Sequence, residues 1–170
     1  MSMSQTGAQE PSEAHSISLA LYQPDIPQNT GTLMRMCACL GVPLHIIEPA
    51  GFDLSDRTLR RAGLDYLSHL HLTRHASFSS FERLLSARGS RLVLLTTRGE
   101  TPYHLFEFKA GDVLMAGRES SGVPDDVHNR ANARIRVPMR QGMRSMNIAV
   151  SAAVVLGEAM RQTGAFSGLA

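Results

Sequence analysis

Short runs of β-forming residues alternate with amphipathic helical segments along almost the whole chain, and this alternation constrains the fold more than any other feature. The runs lie at 16–22, 43–49, 69–73, 91–97, 112–117 and 133–138. Helical segments begin near Asn29, Ser55, Ser79, Pro124 and Met146. Strands that alternate with helices predict an α/β fold with a mostly parallel sheet flanked by helices. Because 170 residues suffice for one well-packed core, we expect a single domain over residues 16–170.

Several of the predicted helices carry recognisable end signals. Ser79 and Glu82 have the spacing of a capping box, and Pro124 occupies the first position of a short helix. The last helix is predicted from about Met146 to Gln162, and Gly164 then ends it.

Composition argues against a membrane-spanning chain. Hydrophobic residues make up 43% of the sequence, and no apolar run reaches the roughly 18 residues that a membrane helix needs. The first fifteen residues are polar and lack the apolar segment of a signal peptide, so we predict a disordered tail over 1–15 and a cytoplasmic protein. Cys37 and Cys39 lie too far apart around a predicted helix to form a disulfide, which fits a reducing compartment.

Basic residues are concentrated in two places, although the net charge is only +2. No Asp or Glu occurs between Val127 and Gly157. That segment contains Arg130, Arg134, Arg136, Arg140 and Arg144, and a second cluster consists of Arg57, Arg60, Arg61 and Arg74. Such patches favour a polyanionic partner such as RNA. Sixteen of the seventeen basic residues are Arg, a bias that genomic base composition alone can produce, so a solvated basic face stays open as an alternative.

The first and last helices are apolar over more of their circumference than a surface helix needs. In the last helix, Ala149, Ala153 and Val154 widen the stripe to which Ile148 and Leu156 belong. We therefore predict a homodimer built on these two helices. The alternative is that both helices are deeply buried in one core.

Three predicted strands end in loops of similar character. The segments 94–102, 115–124 and 137–147 pass from a buried run into Gly, Ser, Thr and Arg, and the last two lead into helix N-termini. In open α/β sheets, ligands bind beyond the carboxyl ends of the strands, where loops offer free backbone groups. These loops therefore predict a site for a flat, polar ligand such as a nucleobase.

Other kinds of site are disfavoured by the residues present. A Rossmann dinucleotide site could use Glu48 as its ribose ligand, but the glycine fingerprint after the first strand is absent. His69, His71 and His75 suggest a metal, yet no clustered carboxylates or suitable cysteines complete a site, and solvent-facing histidines on an edge strand are commoner. The serines of "GRESSG" do not form the G-x-S-x-G of a nucleophile elbow.

Three segments resemble, in order and spacing, the three motifs of the SPOUT class of RNA methyltransferases. They are "PQNTGTLMR" (27–35), "GRESSGVP" (117–124) and "RVPMRQGMRSMN" (136–147), the first, second and third motifs below. The resemblance extends over about residues 17–163. It is closest to the small single-domain TrmL (YibK-like) branch, which methylates the ribose 2'-oxygen of the tRNA wobble nucleotide.

The resemblance implies a deep trefoil knot at the C-terminal end of the sheet and a homodimer that acts on the anticodon stem-loop of tRNA. It also implies S-adenosylmethionine (SAM) as methyl donor, S-adenosylhomocysteine as product, and no metal. By matching position, the residues implied to bind the cofactor, mostly through backbone groups, are Leu95, Thr96, Gly117, Val137, Ser145 and Met146. Asn29, Arg35 and Glu119 match catalytic positions. Gln28 stands where relatives have a second proline, and 148–155 lacks some polar residues common among them.

Arg35 is a single charge among apolar neighbours of the first helix. Such an arginine reaches water, pairs with a carboxylate or faces a site. A guanidinium is a poor base at neutral pH because its pKa exceeds about 12, so stabilisation of a forming alkoxide is the favoured role. Two alternatives stay open for the whole chain: a SPOUT enzyme acting on rRNA or another tRNA position, and a catalytically silent RNA-binding module.

Overall fold

All strand pairings in the described part of the sheet are parallel, which confirms the predicted architecture. The computed structural model describes residues 16–55, 57–58 and 65–170. The strands in chain order are β1 (Ser18–Tyr22), β2 (Leu44–Ile47), β3 (Leu72–His75), β4 (Leu92–Leu95), β5 (Thr101–Pro102), β6 (Val113–Ala116) and β7 (Ala133–Arg136). They lie side by side in the order β3-β2-β1-β6-β4-β7-β5. The carboxyl ends of β1, β6, β4 and β7 are therefore neighbours at one edge of the sheet.

Helices cover both faces of the sheet. In chain order they are α1 (Pro27–Leu40), α2 (Phe78–Arg88), α3 (Asp125–Arg130) and α4 (Ile148–Thr163), with short 3₁₀ helices at Leu67–His69 and Tyr103–Leu105. α1 and α4 pack together over one core that includes Leu114, whereas α2 and α3 cover a second core that includes Met115. Because side chains alternate across a strand, neighbouring residues enter opposite cores, and the strands read as nearly continuous apolar runs.

The start of α2 differs from the predicted one. Ser77 is the N-cap, and its hydroxyl accepts a hydrogen bond from the Ser80 N–H at 3.1 Å. The Ser80 hydroxyl in turn accepts one from the Ser77 N–H at 3.2 Å. The predicted capping box of Ser79 and Glu82 is wrong because Ser80 supplies the reciprocal bond, so the helix begins two residues earlier.

Three other helix starts are also shifted, and the first is that of α1, which begins at Pro27 and not at Asn29. Pro124 is the N-cap of α3 and not its first residue. α4 begins at Ile148 and not at Met146, because the side chain of Asn147 accepts hydrogen bonds from the first turn. Gly164 ends α4 in the left-handed conformation, with φ 70°, as predicted.

The edge strand β3 begins at Leu72, three residues later than predicted, because a 3₁₀ helix occupies Leu67–His69. His75, expected to face solvent, is buried. Its Nε2 lies 3.1 Å from Nδ1 of His45, and Phe81 packs against its ring. The two-residue strand β5 has no strand signal in the sequence.

Some predictions concern residues outside the described ranges. The tail at 1–15 and most of the helix predicted after Ser55, with Arg60 and Arg61, are among them. Within the described part, the Ser55 hydroxyl accepts a hydrogen bond from the Thr58 N–H at 3.4 Å. None of the described helices is long and apolar enough to cross a membrane.

Candidate active site

The loops that follow β1, β4, β6 and β7 surround a cleft of about 560 Å³ at the carboxyl edge of the sheet. Its walls include the start of α1, the segments 94–97 and 117–123, and residues between Val137 and Ser151. Clefts of roughly 300–1,000 Å³ are typical of sites for small ligands and cofactors. The four loops converge because their strands are adjacent and parallel.

The six residues predicted to bind a cofactor all line this cleft. They are Leu95 at the end of β4, Thr96 after it, Gly117 after β6, and Val137, Ser145 and Met146 in the loop before α4. Asn29 and Glu119, two of the three residues at catalytic positions, line it as well. The structure therefore brings residues of all three motifs together, and their roles toward a ligand stay predictions.

Gly117 is required by the protein backbone itself. A Cβ placed on Gly117 would lie 2.8 Å from the carbonyl carbon and 2.9 Å from the Cα of Gly122. The two segments are this close because Arg118 and Gly122 exchange backbone hydrogen bonds of 2.9 and 2.8 Å. We call residues 117–122 the second-motif hairpin. The closure of this hairpin excludes a side chain at Gly117.

Asp25, which the sequence does not single out, joins the loop after β1 to the second-motif hairpin. The backbone N–H of Asp25 donates to Oε2 of Glu119 at 3.3 Å, and the N–H of Glu119 donates to Oδ1 of Asp25 at 3.1 Å. The Ser120 hydroxyl donates to Oδ2 of Asp25. Nε of Arg118 lies 3.8 Å from the same oxygen.

These contacts separate the pKa values of the two carboxyl groups. The hydrogen bond with the Glu119 side chain, helped by Ser120 and Arg118, lowers the pKa of Asp25 to about 2. Burial, and then the hydrogen bond to Asp25, raise the pKa of Glu119. Asp25 is therefore the charged member of the pair, and Glu119 is the member that takes up a proton more readily.

Asn147, the last residue of the third motif, holds the opposite wall of the cleft. Its side-chain oxygen caps α4 by accepting hydrogen bonds from the N–H groups of Ala149 at 2.8 Å and Val150 at 3.3 Å. Its side-chain nitrogen donates to Oδ1 of Asn29 at 3.0 Å. Asn29 thus connects the first motif to the start of α4. An Asn before an apolar run is an N-cap signal, but the prediction did not use it, and the predicted helix start is two residues too early.

Arg35 lies outside the lining of the cleft. Six residues along an α-helix correspond to a rise of about 9 Å and a rotation of about 240°, so Arg35 and Asn29 point in different directions. The exposed Arg35 guanidinium donates to the hydroxyl of Tyr66 at 3.2 Å and stacks 4.7 Å from the centre of its ring. Within this single chain Arg35 therefore lies away from the cleft, and its catalytic role stays a prediction.

Three arginines of the basic segment form ion pairs or hydrogen bonds with other residues of the chain. Arg130 pairs with a carboxylate of α2 at 3.1 Å, while Arg134 and Arg136 donate to backbone carbonyl oxygens. Arg140 and Arg144 are exposed in the loop before α4, and their guanidinium groups form no hydrogen bond or ion pair with other described residues. Arg144 also lines the cleft. Of these five arginines, Arg140 and Arg144 are the ones most available to an anionic partner.

The residues considered for a dinucleotide or a metal site do not line the cleft. Glu48 forms an ion pair with Arg74 at 2.6 Å. His75 faces His45 in the second core. Among the described residues, no group of three or more His, Cys, Asp or Glu side chains could hold a metal ion.

A profile of the SpoU rRNA Methylase family matches residues 16–157, a span that includes the three motifs and every strand of the sheet. This chain belongs to that family. Membership confirms the resemblance read from the motifs, and it agrees with the parallel α/β architecture.

Several relatives of this SpoU-family chain are similar over most of its length. The tRNA (cytidine(34)-2'-O)-methyltransferase of Beijerinckia indica subsp. indica is 58% identical over 149 residues, which cover 88% of this chain and 93% of that protein. A solved structure concerning the 2-OH methylation of C/U34 on tRNA has a TM-score of 0.81 and 45% identity, with coverage of 88% and 97%. An AdoMet-bound rRNA methyltransferase from Sinorhizobium meliloti has a TM-score of 0.77 and 26% identity, with coverage of 86% and 56%.

Proposed function

We propose that this SpoU-family chain transfers the methyl group of SAM to the ribose 2'-oxygen of nucleotide 34, the wobble nucleotide, in the anticodon stem-loop of tRNA. The nucleotide is a cytidine or a modified uridine. The observation that carries the proposal is the convergence of all three motifs on one cleft of about 560 Å³. Similarity to proteins named for this reaction supports the choice of substrate.

The residues of the cleft fit SAM. Backbone groups beside Leu95, Gly117 and Val137 can hold the adenosine moiety, which needs donors and acceptors at close range. Nε of Arg118, also in the cleft wall, is buried and lacks a hydrogen-bond acceptor among the described residues. A donor of this kind suits a carboxylate such as that of the methionine moiety. We also propose the deep trefoil knot that the resemblance implies, at this edge of the sheet, and a cytoplasmic location.

For this reaction the protein must mainly position the methyl donor and the ribose. SAM, when bound, supplies an electrophilic methyl group on a sulfonium, which an oxygen attacks in line. The chain must hold the ribose 2'-hydroxyl on that line and stabilise negative charge as the proton leaves to solvent or a phosphate oxygen. We assign the stabilisation to Arg35, whose guanidinium can bind the 2'-oxygen or the adjacent phosphate. Asn29 and Glu119 border the cleft, and we assign them to placing the ribose.

We propose a homodimer as the active form. Four exposed apolar side chains extend from the rim of the cleft along α4: Met143, Met146, Val150 and Val154. The apolar residues of α1 such as Leu33 and Met34 are buried within the chain, contrary to the expectation of an apolar surface on α1. The contact therefore centres on α4, and the dimer can bring Arg35 of one protomer to the RNA in its partner's cleft. Light scattering should give twice the chain mass of 18.5 kDa, and a monomer mass would contradict the dimer.

The function is tested with purified protein, SAM labelled in its methyl group, and tRNA transcripts. Nucleoside mapping should place the label on the 2'-oxygen of nucleotide 34. The matched control is the same tRNA with a 2'-deoxy nucleotide at position 34, which lacks the acceptor oxygen and should stay unlabelled. Label in rRNA or elsewhere in tRNA would refute the substrate, and RNA binding without any label would indicate a catalytically silent module.

A further inference from the structure

The loop between β1 and α1 holds an aspartate in a narrow space beside the cleft. Gln23 has a φ of 43°, the one positive φ found for a non-glycine residue in the described part of the chain. This turn, directly after β1, directs Asp25 toward the second-motif hairpin. Gly51 closes the space from behind, because a Cβ there would lie 2.8 Å from the Cβ of Asp25. The position of the Asp25 carboxylate is therefore determined from two sides.

The Asp25 carboxylate joins the second-motif hairpin to the loop after β1. Two longer hydrogen bonds support this attachment: the Asp25 N–H donates to Oε2 of Glu119 at 3.3 Å, and the Arg118 guanidinium donates to Oε1 of Gln23 at 3.4 Å. Ser120, Ser121 and Gly122 are exposed, and the backbone bonds between Arg118 and Gly122 only close the hairpin on itself. Asp25 accepts hydrogen bonds from the Glu119 N–H and the Ser120 hydroxyl. These bonds join positions 94 and 95 residues apart in the sequence.

We infer that Asp25 is a positioning residue for methyl transfer, whose carboxylate holds the second-motif hairpin in the shape that binds the methyl donor. The inference rests on the proposed function, since that hairpin forms one wall of the proposed SAM site. Asp25 itself does not line the cleft and acts through Glu119 and Ser120. A charged acceptor suits this task because charge-assisted hydrogen bonds are about twice as strong as neutral ones.

The test compares Asp25→Ala, Asp25→Asn and Asp25→Glu, with Asp125→Asn as matched control. Asp125 is also an ion-paired aspartate, at 3.2 Å from Arg98, but its side chain is 85% exposed and lies outside the cleft. S-adenosylhomocysteine affinity is measured by calorimetry well below the melting temperature. Asp25→Ala should bind at least about tenfold more weakly, because it loses charge-assisted bonds. Asp25→Asn should fall between Ala and wild type, and the control should match wild type. Asp25→Glu keeps the charge but should also bind more weakly than wild type, because its longer side chain displaces the carboxylate in the narrow space beside Gly51.

Steady-state kinetics separate this role from general stability. Asp25→Asn should raise KM for SAM while KM for tRNA stays near the wild-type value. Ser120→Ala removes one donor at an exposed position and should weaken cofactor binding without unfolding the protein, so it decides the question if Asp25→Ala does not fold. Cofactor affinity within about twofold of wild type in folded Asp25→Asn and Ser120→Ala would overturn the inference.

Failure of the proposed function is distinguishable from failure of this inference. A different RNA substrate would leave S-adenosylhomocysteine binding intact, whereas without a cofactor site the wild-type protein would bind no S-adenosylhomocysteine. In that case amide hydrogen exchange decides whether Asp25 anchors the hairpin. The Glu119 and Gly122 amides should exchange faster in Asp25→Asn than in wild type, and unchanged exchange would overturn the anchoring role as well.

Discussion

Replacing Gly117 by alanine should damage the cofactor cleft by pushing the second-motif hairpin out of place. The added Cβ would lie 2.8 Å from the Gly122 backbone, which must withdraw by about 0.6 Å to reach the ordinary contact limit of 3.4 Å. The Gly122 backbone cannot relieve this contact by changing rotamer, as a side chain could, so the hairpin itself must move. Overpacking of this kind costs about 1–3 kcal/mol. For a chain of this size each kcal/mol lowers Tm by about 2–4 °C, so Tm should fall by about 2–12 °C.

The same substitution at Gly157 provides the matched control. Gly157 lies inside α4, and a Cβ there meets nothing within 4 Å. Alanine is the better helix former, so Gly157→Ala should raise the free energy of unfolding by up to about 1 kcal/mol. Identical chemistry at the two glycines should therefore change stability in opposite directions.

The assays are scanning calorimetry for stability and titration calorimetry for S-adenosylhomocysteine affinity. Gly117→Ala should bind about tenfold more weakly or worse, because displacements below 1 Å already misplace ligand contacts in a preorganised site. Gly157→Ala should bind as wild type does, and because Gly157 lies on the same face of α4 as Val150 and Val154, light scattering checks that its dimer is intact. A Gly117→Ala protein with wild-type Tm and affinity would show that the contact with Gly122 is relieved without disturbing the cleft, and the reasoning would fail.

Three further predictions follow from the site and the cores. Arg35→Ala should keep S-adenosylhomocysteine binding, but its rate of methyl transfer should fall about 10²- to 10³-fold, as for other preorganised donors. Tyr66→Phe should lose less activity because its ring still supports the Arg35 guanidinium. Single-turnover assays compare the two variants. Arg140→Ala combined with Arg144→Ala should weaken tRNA binding and flatten the slope of log affinity against log salt by about 1.4–1.8, and an unchanged slope would remove both from the RNA contact. Burial, with a nearby arginine charge, lowers the pKa of His75 from its ordinary 6.5, so the folded state resists protonation there. The free energy of unfolding should therefore decline as pH falls below about 6.5, and the decline should be smaller in His75→Gln, measured by urea denaturation.

The local pattern of the sequence was sufficient for the architecture. Short, nearly continuous apolar runs and helix signals predicted the parallel sheet, because strands buried on both faces need apolar residues at nearly every position. It also located the cleft, since loops at the carboxyl ends of adjacent parallel strands converge. The predicted helix start was wrong where either of two serines could be the N-cap, as Ser77 and Ser79 could at the start of α2. The resemblance of the motifs added the six residues predicted to bind the cofactor, and all six line the cleft.

The tertiary structure decided what depends on contacts between distant residues. Asp25 and Asn147 become important only because folding places them beside Glu119 and Asn29, at separations of 94 and 118 residues. Arg35 shows the opposite case, because its helix position is readable from the sequence but its stacking on Tyr66, away from the cleft, is not. Periodicity reports which side of a helix or strand faces a core. Chain topology determines which residues lie on that side. For Arg35 we expect the cleft that it serves to belong to a second protomer.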